Sequence, residues 1–425
     1  MENKEYSISL YKILKSFSSA MDLISTEVVG HHKKVAYICY VLGLELGLKP
    51  LELKDLIFAA LIHDIGVFYL DQNFSDLAFD SRSNLHAEVG YQLSRDYFPS
   101  KRVAKIIKYH HVEWSEQGQL DEGDILYISS ILFLADRICT LLNGNDGREI
   151  LNRVSFIVEK INSLAGQRFY PPAVEAFNKV ADREYFWLDL TSNQEITRKF
   201  DSLELINQEY IDLDILLDIS QLISYIIDFR SPFTATHSMG VAAVSEKLAA
   251  DTGYGGSECK MMRIAGYLHD IGKLAVPLAI LNKPGKLKKD EWQIMKTHTY
   301  YTYRVLAQAE ELSVIRDWAA FHHETLKGDG YPFHLKAGQL SRGSRIMSVA
   351  DVFTALTEDR PYRDSMSKEK VLEILAEMLS NQKLDQDIVA IVRDSYSEYS
   401  SIRLQAQLKA IKHYNEFKQR INKSL

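Results

Sequence analysis

The sequence predicts an all-α protein built from two similar helical domains in tandem. Three observations lead there. Apolar residues recur at helical spacing along most of the chain, as in 241–250, 302–323 and 369–379, and alternating strand patterns are scarce. Histidines and aspartates occur in the same order in each half. The 425 residues suffice for two or three domains at ~100–200 residues each.

The repeat fixes the order of elements. The first half carries His31, His63-Asp64, His86, His110-His111 and Asp136; the second carries His237, His269-Asp270, His298, His322-His323 and Asp351. His31 to His63 spans 32 residues, as does His237 to His269; His86 to His110 spans 24, as does His298 to His322. Val35, Ile38 and Leu42 mark one helix face after His31, and Val241, Val244 and Leu248 do so after His237. The second copy has six extra residues between its His-Asp pair and the next histidine, and three extra between its His-His pair and the final aspartate. Both insertions lie beside the clustered histidines and are expected to alter function rather than fold.

Residues 1–150 therefore form a first helical domain and 210–400 a second. Residues 151–209, with Pro171-Pro172, are expected as a helical connector packed between them. Residues 211–229 read as a long apolar helix, an interdomain or dimer element. The tail 401–425, with Arg403, Lys409, Lys412, Lys418, Arg420 and Lys423, is expected as a basic, solvated helix.

Composition narrows the function. Hydrophobic residues make up 46% and charged residues 25%, as in a folded soluble protein. A formal charge of -7 argues against general DNA or RNA binding, which needs a positive field, but leaves room for a small anionic ligand. Cys39, Cys139 and Cys259 are far apart, so no disulfide framework is expected and a reducing compartment is. The N-terminal residues lack a signal-type apolar core, and no ~18–20-residue uninterrupted apolar run suggests a membrane span; a cytoplasmic protein is expected.

Seven His and Asp residues in a repeated order point to metal. Imidazole, carboxylate and water suit Fe, Mn or Zn rather than Ca. Two metals ~3.5–4 Å apart can activate a water as nucleophile and neutralise a phosphoryl oxygen. The three cysteines stand singly and none belongs to a CxxC pair, which argues against a Cys-rich structural zinc site.

The second half carries THS (236–238), HDIGK (269–273), HHETLKGDGYP (322–332) and ADVFTALTEDRPYR (350–363). On these motifs, residues 230–380 resemble the HD-GYP family of bacterial cyclic-dinucleotide phosphodiesterases, a branch of the HD superfamily. The resemblance implies tandem HD-type domains and two divalent metal ions, Fe or Mn by preference, with Mg, Ni or Zn as alternatives. His237, His269, Asp270 and Asp351 would hold one metal, and Asp270 would bridge to a second on His298, His322 and His323. Lys273 and Asp270 would be catalytic, the lysine reaching a phosphate oxygen. Gly328, Gly330, Tyr331 and Pro332 would form the substrate loop, and Arg360 and Arg363 would pair with substrate phosphates. Glu324 is expected to support the His-His pair. Phe233 replaces a glutamate that helps hold a third metal in some members, which favours two metals; Thr354 replaces a common aspartate, with no assigned consequence.

Implied by this resemblance is hydrolysis of a cyclic dinucleotide to a linear one with a 5'-phosphate. Cyclic di-GMP is the default substrate and cyclic GMP-AMP the runner-up. A non-catalytic dinucleotide receptor and a general HD nucleotidase remain alternatives, and a homodimer is possible. The first copy keeps the ligand set but has Val67 in place of Lys273, HHVEWSEQG (110–118) without GYP, and Asn145 and Arg148 against Arg360 and Arg363. It is expected to be a degenerate HD domain that regulates, dimerises or supports the second, with a second active site or structurally retained histidines as the other readings.

Overall fold

A computed structural model describes residues 6–24, 29–70, 84–142, 147–229, 236–359 and 365–424. Arg360, Arg363, Phe233 and Asn145 lie outside the described residues, as does the side chain of Arg148. The described chain is helical almost throughout; its strands are Ile8–Ser9 and Tyr210–Ile211, which pair. It divides into two compact units, one of residues 8–210 with 420–425, the other of 211–419 with 1–7.

The division places 151–209 inside the first unit, where a connector between domains was expected. Its short helices bury Ile157, Ile161, Phe177, Phe186, Trp187, Ile196 and Phe200. Phe200 meets the rings of Tyr11 and Tyr40 edge-on at 6.2 and 6.1 Å, so this segment completes the first core. Helix Asp124–Leu142 is long and apolar enough to cross a membrane by length and composition, but Asp136 and Arg137 interrupt its apolar run and most of it is buried in the same core. Its middle carries Asp136.

In the second unit, helix Leu213–Phe229 buries Leu216, Ile219, Leu222, Ile223 and Ile226 and packs on Gly256–Leu268; it is an internal element of the domain. The helix expected over 302–323 is interrupted. Helix Lys289–Leu306 gives way to a 3-10 turn, Glu310–Leu312, and then to Ser313–Ala320. Leu306, Ala309, Leu312 and Ile315 are all buried, and a three-residue spacing serves either helix type, which hides the break from periodicity. The tail is the end of one helix, Tyr396–Ser424. Arg403 on it is 8% exposed, not solvated, because it packs beside buried Gln407.

One device recurs in both domains. A 3-10 turn follows each His-Asp pair, Ile65–Tyr69 and Ile271–Ala275. Any side chain at Gly66 would overlap the His86 carbonyl, and any at Gly272 the His298 carbonyl. The glycine thus lets the turn lie flat against the helix that supplies the next histidine.

Candidate metal centre

The second-domain centre is assembled from helix ends and two helix middles. His237 opens helix His237–Asp251. Helix Arg342–Thr357, started by the Ser341 hydroxyl accepting the Ser344 N–H at 3.1 Å, packs on it and brings Asp351 Oδ1 to 3.1 Å from His237 Nε2. His269 and Asp270 sit where helix Gly256–Leu268 turns into the 3-10 segment. His298 projects from Lys289–Leu306, and His322 and His323 follow Ser313–Ala320.

Three rings are oriented in the same way. The Nδ1–H groups of His269, His298 and His322 donate to the carbonyls of Gly266, Met295 and Ala319 at 2.8, 2.7 and 2.6 Å. A carbonyl only accepts, so each Nδ1 carries the proton and each Nε2 presents a lone pair to the centre. His269 Nε2 lies 3.1 Å from Asp270 Oδ2 and His298 Nε2 3.5 Å from Asp270 Oδ1, so Asp270 turns one oxygen toward each group of imidazoles. Ligand atoms of His237, His269 and Asp351 lie within 4.8 Å of one another, as do those of His269, Asp270 and His322 and those of His298, His322 and His323. His269 Nε2 is buried with no hydrogen-bond partner. Converging lone pairs, an orphaned buried nitrogen and a carboxylate with two occupied faces fit divalent cations of the N/O-loving kind.

The electrostatics agree. Burial, reinforced by His323 and Lys273, pushes His298 down to about 3, and burial beside other imidazoles lowers His322 and His323, so these rings are neutral ligands. Burial opposes charge on Asp270, but His269 and Lys273 outweigh it and hold the carboxyl well below its usual range. The Lys273 ammonium pairs with Asp270 Oδ2.

One partner of the centre was missed by the sequence reading. His237 Nδ1 donates to Glu358, 3.0 Å from Oε1 and 3.1 Å from Oε2. Despite burial, Glu358 and Asp351 raise His237 to about 10. Gln407 Nε2 donates to Glu358 Oε2 at 3.0 Å, and Arg403 donates to Gln407, so helix Tyr396–Ser424 braces the carboxylate. The only sequence signal is a glutamate seven residues after Asp351, two turns along one helix face.

The GDGYP segment lies beside the histidines. The Tyr331 ring lies 4.9 Å from that of His323, tilted by 36°, and the Tyr331 N–H donates to the His323 carbonyl at 3.2 Å. Gly328 has φ +87, a conformation L side chains rarely adopt. Pro332 leads into Phe333, whose N–H donates to Glu324 Oε1 at 2.7 Å, while Leu335 N–H donates to Oε2 at 3.0 Å. Glu324 therefore pins the loop, where support of the His-His pair was expected; the hydrogen bonds its carboxylate makes among the described residues go to these two loop amides.

The first domain gathers the matching residues, with His63 Nε2 3.2 Å from Asp64 Oδ2 and His31 Nε2 3.2 Å from Asp136 Oδ1. Nδ1 of His63 and His110 again donates to carbonyls three residues back, at 2.9 and 2.6 Å.

HD-domain family models match residues 28–141 and 221–388. The 3'3'-cGAMP-specific phosphodiesterase 1 of Vibrio cholerae is 30% identical over 414 residues, covering 93% of this chain and 94% of that protein. The chain belongs to the HD-GYP family of cyclic-dinucleotide phosphodiesterases. The 3'3'-cGAMP-specific phosphodiesterase 3 of the same organism is 27% identical over 424 residues, 87% of this HD-GYP chain and 91% of that one. A cyclic di-GMP phosphodiesterase of Pseudomonas aeruginosa is 38% identical over 146 residues, 34% of this chain and 35% of its own. A crystal structure of a cyclic GMP-AMP-specific phosphodiesterase from V. cholerae superposes with a TM-score of 0.60 at 24% identity, covering 94% of this HD-GYP protein and 98% of that chain, and has the same all-α fold. HD domains are metal-dependent, and this one presents the ligand groups described above.

Proposed function

We propose that the second domain hydrolyses 3'3'-cyclic GMP-AMP, opening one phosphodiester to leave a linear dinucleotide with a 5'-phosphate. The observation that carries the choice of substrate is coverage. Of three relatives named for that nucleotide, two align with 93% and 87% of the chain, through both domains, and the third with 42%, whereas none named for cyclic di-GMP among those compared exceeds 41%. Cyclic di-GMP is thus the second substrate to test.

In this reading His237, His269, Asp270 and Asp351 would hold one divalent ion, and Asp270, His298, His322 and His323 would hold the other. Iron or manganese suits the mixed imidazole and carboxylate donors. When bound, such ions supply Lewis acidity toward a phosphoryl oxygen and a water of lowered pKa. The protein's own part is orientation and charge. The Nδ1–carbonyl bonds keep the imidazoles in their ligating tautomer. Asp270 spans the two positions. The Lys273 ammonium, close to Asp270, is placed to offset negative charge growing on the phosphate oxygens. Gly328, Gly330, Tyr331 and Pro332 give the substrate a wall with an aromatic face, and Arg360 and Arg363 supply cations for the nucleotide phosphates.

The test incubates metal-reconstituted protein separately with both cyclic dinucleotides and resolves products by chromatography. Turnover of cyclic GMP-AMP well above cyclic di-GMP, lost in His269→Ala/Asp270→Ala, supports the reading. Binding without turnover, with metal present, replaces it with a receptor. Lys273→Met is expected to retain metal and lose about 10²–10³-fold in kcat.

A further inference from the structure

The first domain's histidine cluster has no part in that reaction, and around its aspartate an imidazole replaces the second domain's lysine. Three imidazoles turn toward a single oxygen of Asp64: Nε2 of His63, His31 and His32 lie 3.2, 3.7 and 3.8 Å from Oδ2. The other oxygen, Oδ1, faces His86 Nε2 at 3.6 Å, and His86 forms a compact group with His110 and His111. In the second domain the same oxygen of the aspartate, Asp270 Oδ2, is met by the Lys273 ammonium. The first domain has Val67 at that lysine's position, and His32 comes to the oxygen instead. His32 itself stands where the second domain has Ser238.

An ammonium has no lone pair to give a metal; an imidazole has one. His32 is fully buried, and neither of its ring nitrogens has a hydrogen-bond partner. His63 Nε2, both nitrogens of His86, His110 Nε2 and His111 Nε2 are orphaned in the same way. So many buried acceptors facing one another are costly unless a cation takes them up. Donor atoms on one ion at ~2.0–2.2 Å can be no more than about 4.4 Å apart. The 3.2–3.8 Å separations of His63, His31 and His32 from Asp64 Oδ2 are within that limit, and the ligand atoms of His31, His63 and Asp64 all lie within 4.8 Å of one another.

We propose that the first domain binds its own divalent metal, with His32 as a ligand added to His31, His63, Asp64 and Asp136, in a centre that stabilises the domain and does not hydrolyse phosphodiesters. Hydrolytic centres keep a coordination position open for water or substrate, whereas structural ones are filled by protein. His32 fills the side of the aspartate that the second domain reserves for a lysine. Buried Arg137, whose Nε lies 3.0 Å from Asp136 Oδ2, occupies the second oxygen of that carboxylate and leaves Oδ1 for the ion; the second domain has Val352 there.

The experiment uses the full chain with His269→Ala/Asp270→Ala, which removes the shared aspartate and a histidine from the second centre, and cobalt(II) as the probe. This variant should retain at least one tightly bound cobalt per chain by elemental analysis, and its melting temperature should fall when a chelator removes it. Adding His32→Ser, the residue the second domain carries there, should weaken the retained cobalt at least about tenfold and change its visible d–d spectrum. His32→Gln serves the same comparison if the serine variant does not fold. A folded double variant that binds no cobalt overturns the proposal. Unchanged affinity and spectrum after replacing His32 remove it from the ligand set and overturn the filled centre. Hydrolysis of bis-p-nitrophenyl phosphate by the cobalt-loaded double variant overturns the structural assignment.

Discussion

Glu358 sits just past the end of helix Arg342–Thr357, and its buried carboxylate accepts the Nδ1–H of His237. A carboxylate there fixes the tautomer and makes Nε2 a stronger donor to a metal. Replacing it with glutamine keeps the shape but removes the charge that holds the ring. Glu358→Gln is expected to weaken metal binding at the second centre by about 10–100-fold, measured by competition with a chelator. Equal affinity in the two proteins would mean that Glu358 only fills space. That these histidines and aspartates would come together was legible in the sequence, because each belongs to a motif that occurs twice. Glu358 was not, because a glutamate beside an Asp-Arg pair at a helix end reads as a surface charge until the fold shows it buried under Gln407.

At the scale of elements, the centre depends on how closely a 3-10 turn can approach a helix. Thr302 bridges the two: its hydroxyl donates to the His269 carbonyl at 2.9 Å, and Gly272 N–H donates to that hydroxyl at 3.1 Å. Gly272→Ala puts a methyl into the His298 carbonyl, so the turn must retreat and carry Asp270 with it. The expected cost is about 1–3 kcal/mol of stability, together with loss of metal affinity. Denaturant unfolding with and without metal separates the two effects; a variant that is destabilised yet binds metal normally would contradict the coupling. The HDIG motifs made this turn legible, but segments outside the repeat were harder to place. Phe177, Trp187 and Phe200 show apolar spacing that any core would accept, and spacing alone does not say which of two neighbouring cores receives them. The same holds for Arg403, whose sequence neighbourhood is basic while its surroundings are buried.

For the whole molecule, two buried imidazole centres make stability a function of pH, and the sign can be worked out. His110 in the first domain and His298 in the second are pushed down to about 3 from an ordinary value of 6.5, chiefly by burial. Between about pH 3 and 6.5 the unfolded chain binds protons that these folded rings refuse, so stability falls as pH falls through that window. His63 at about 9 and His237 at about 10 are protonated in both states below 6.5 and add no slope there. Asp64, Asp136, Asp270 and Asp351 are held well below 3.8, so their contribution is lost only at still lower pH and in the same direction. Metal steepens the dependence, since a ligating imidazole must be neutral and binding releases protons. The melting temperature of metal-loaded protein is therefore expected to drop between pH 7.5 and pH 5, with release of bound metal over the same range. Calorimetry and elemental analysis across that range check it. Because each domain carries its own set of depressed histidines, in the first His32, His86, His110 and His111, the drop should persist in His269→Ala/Asp270→Ala; a melting temperature there that ignores pH would show that burial does not hold these four rings neutral.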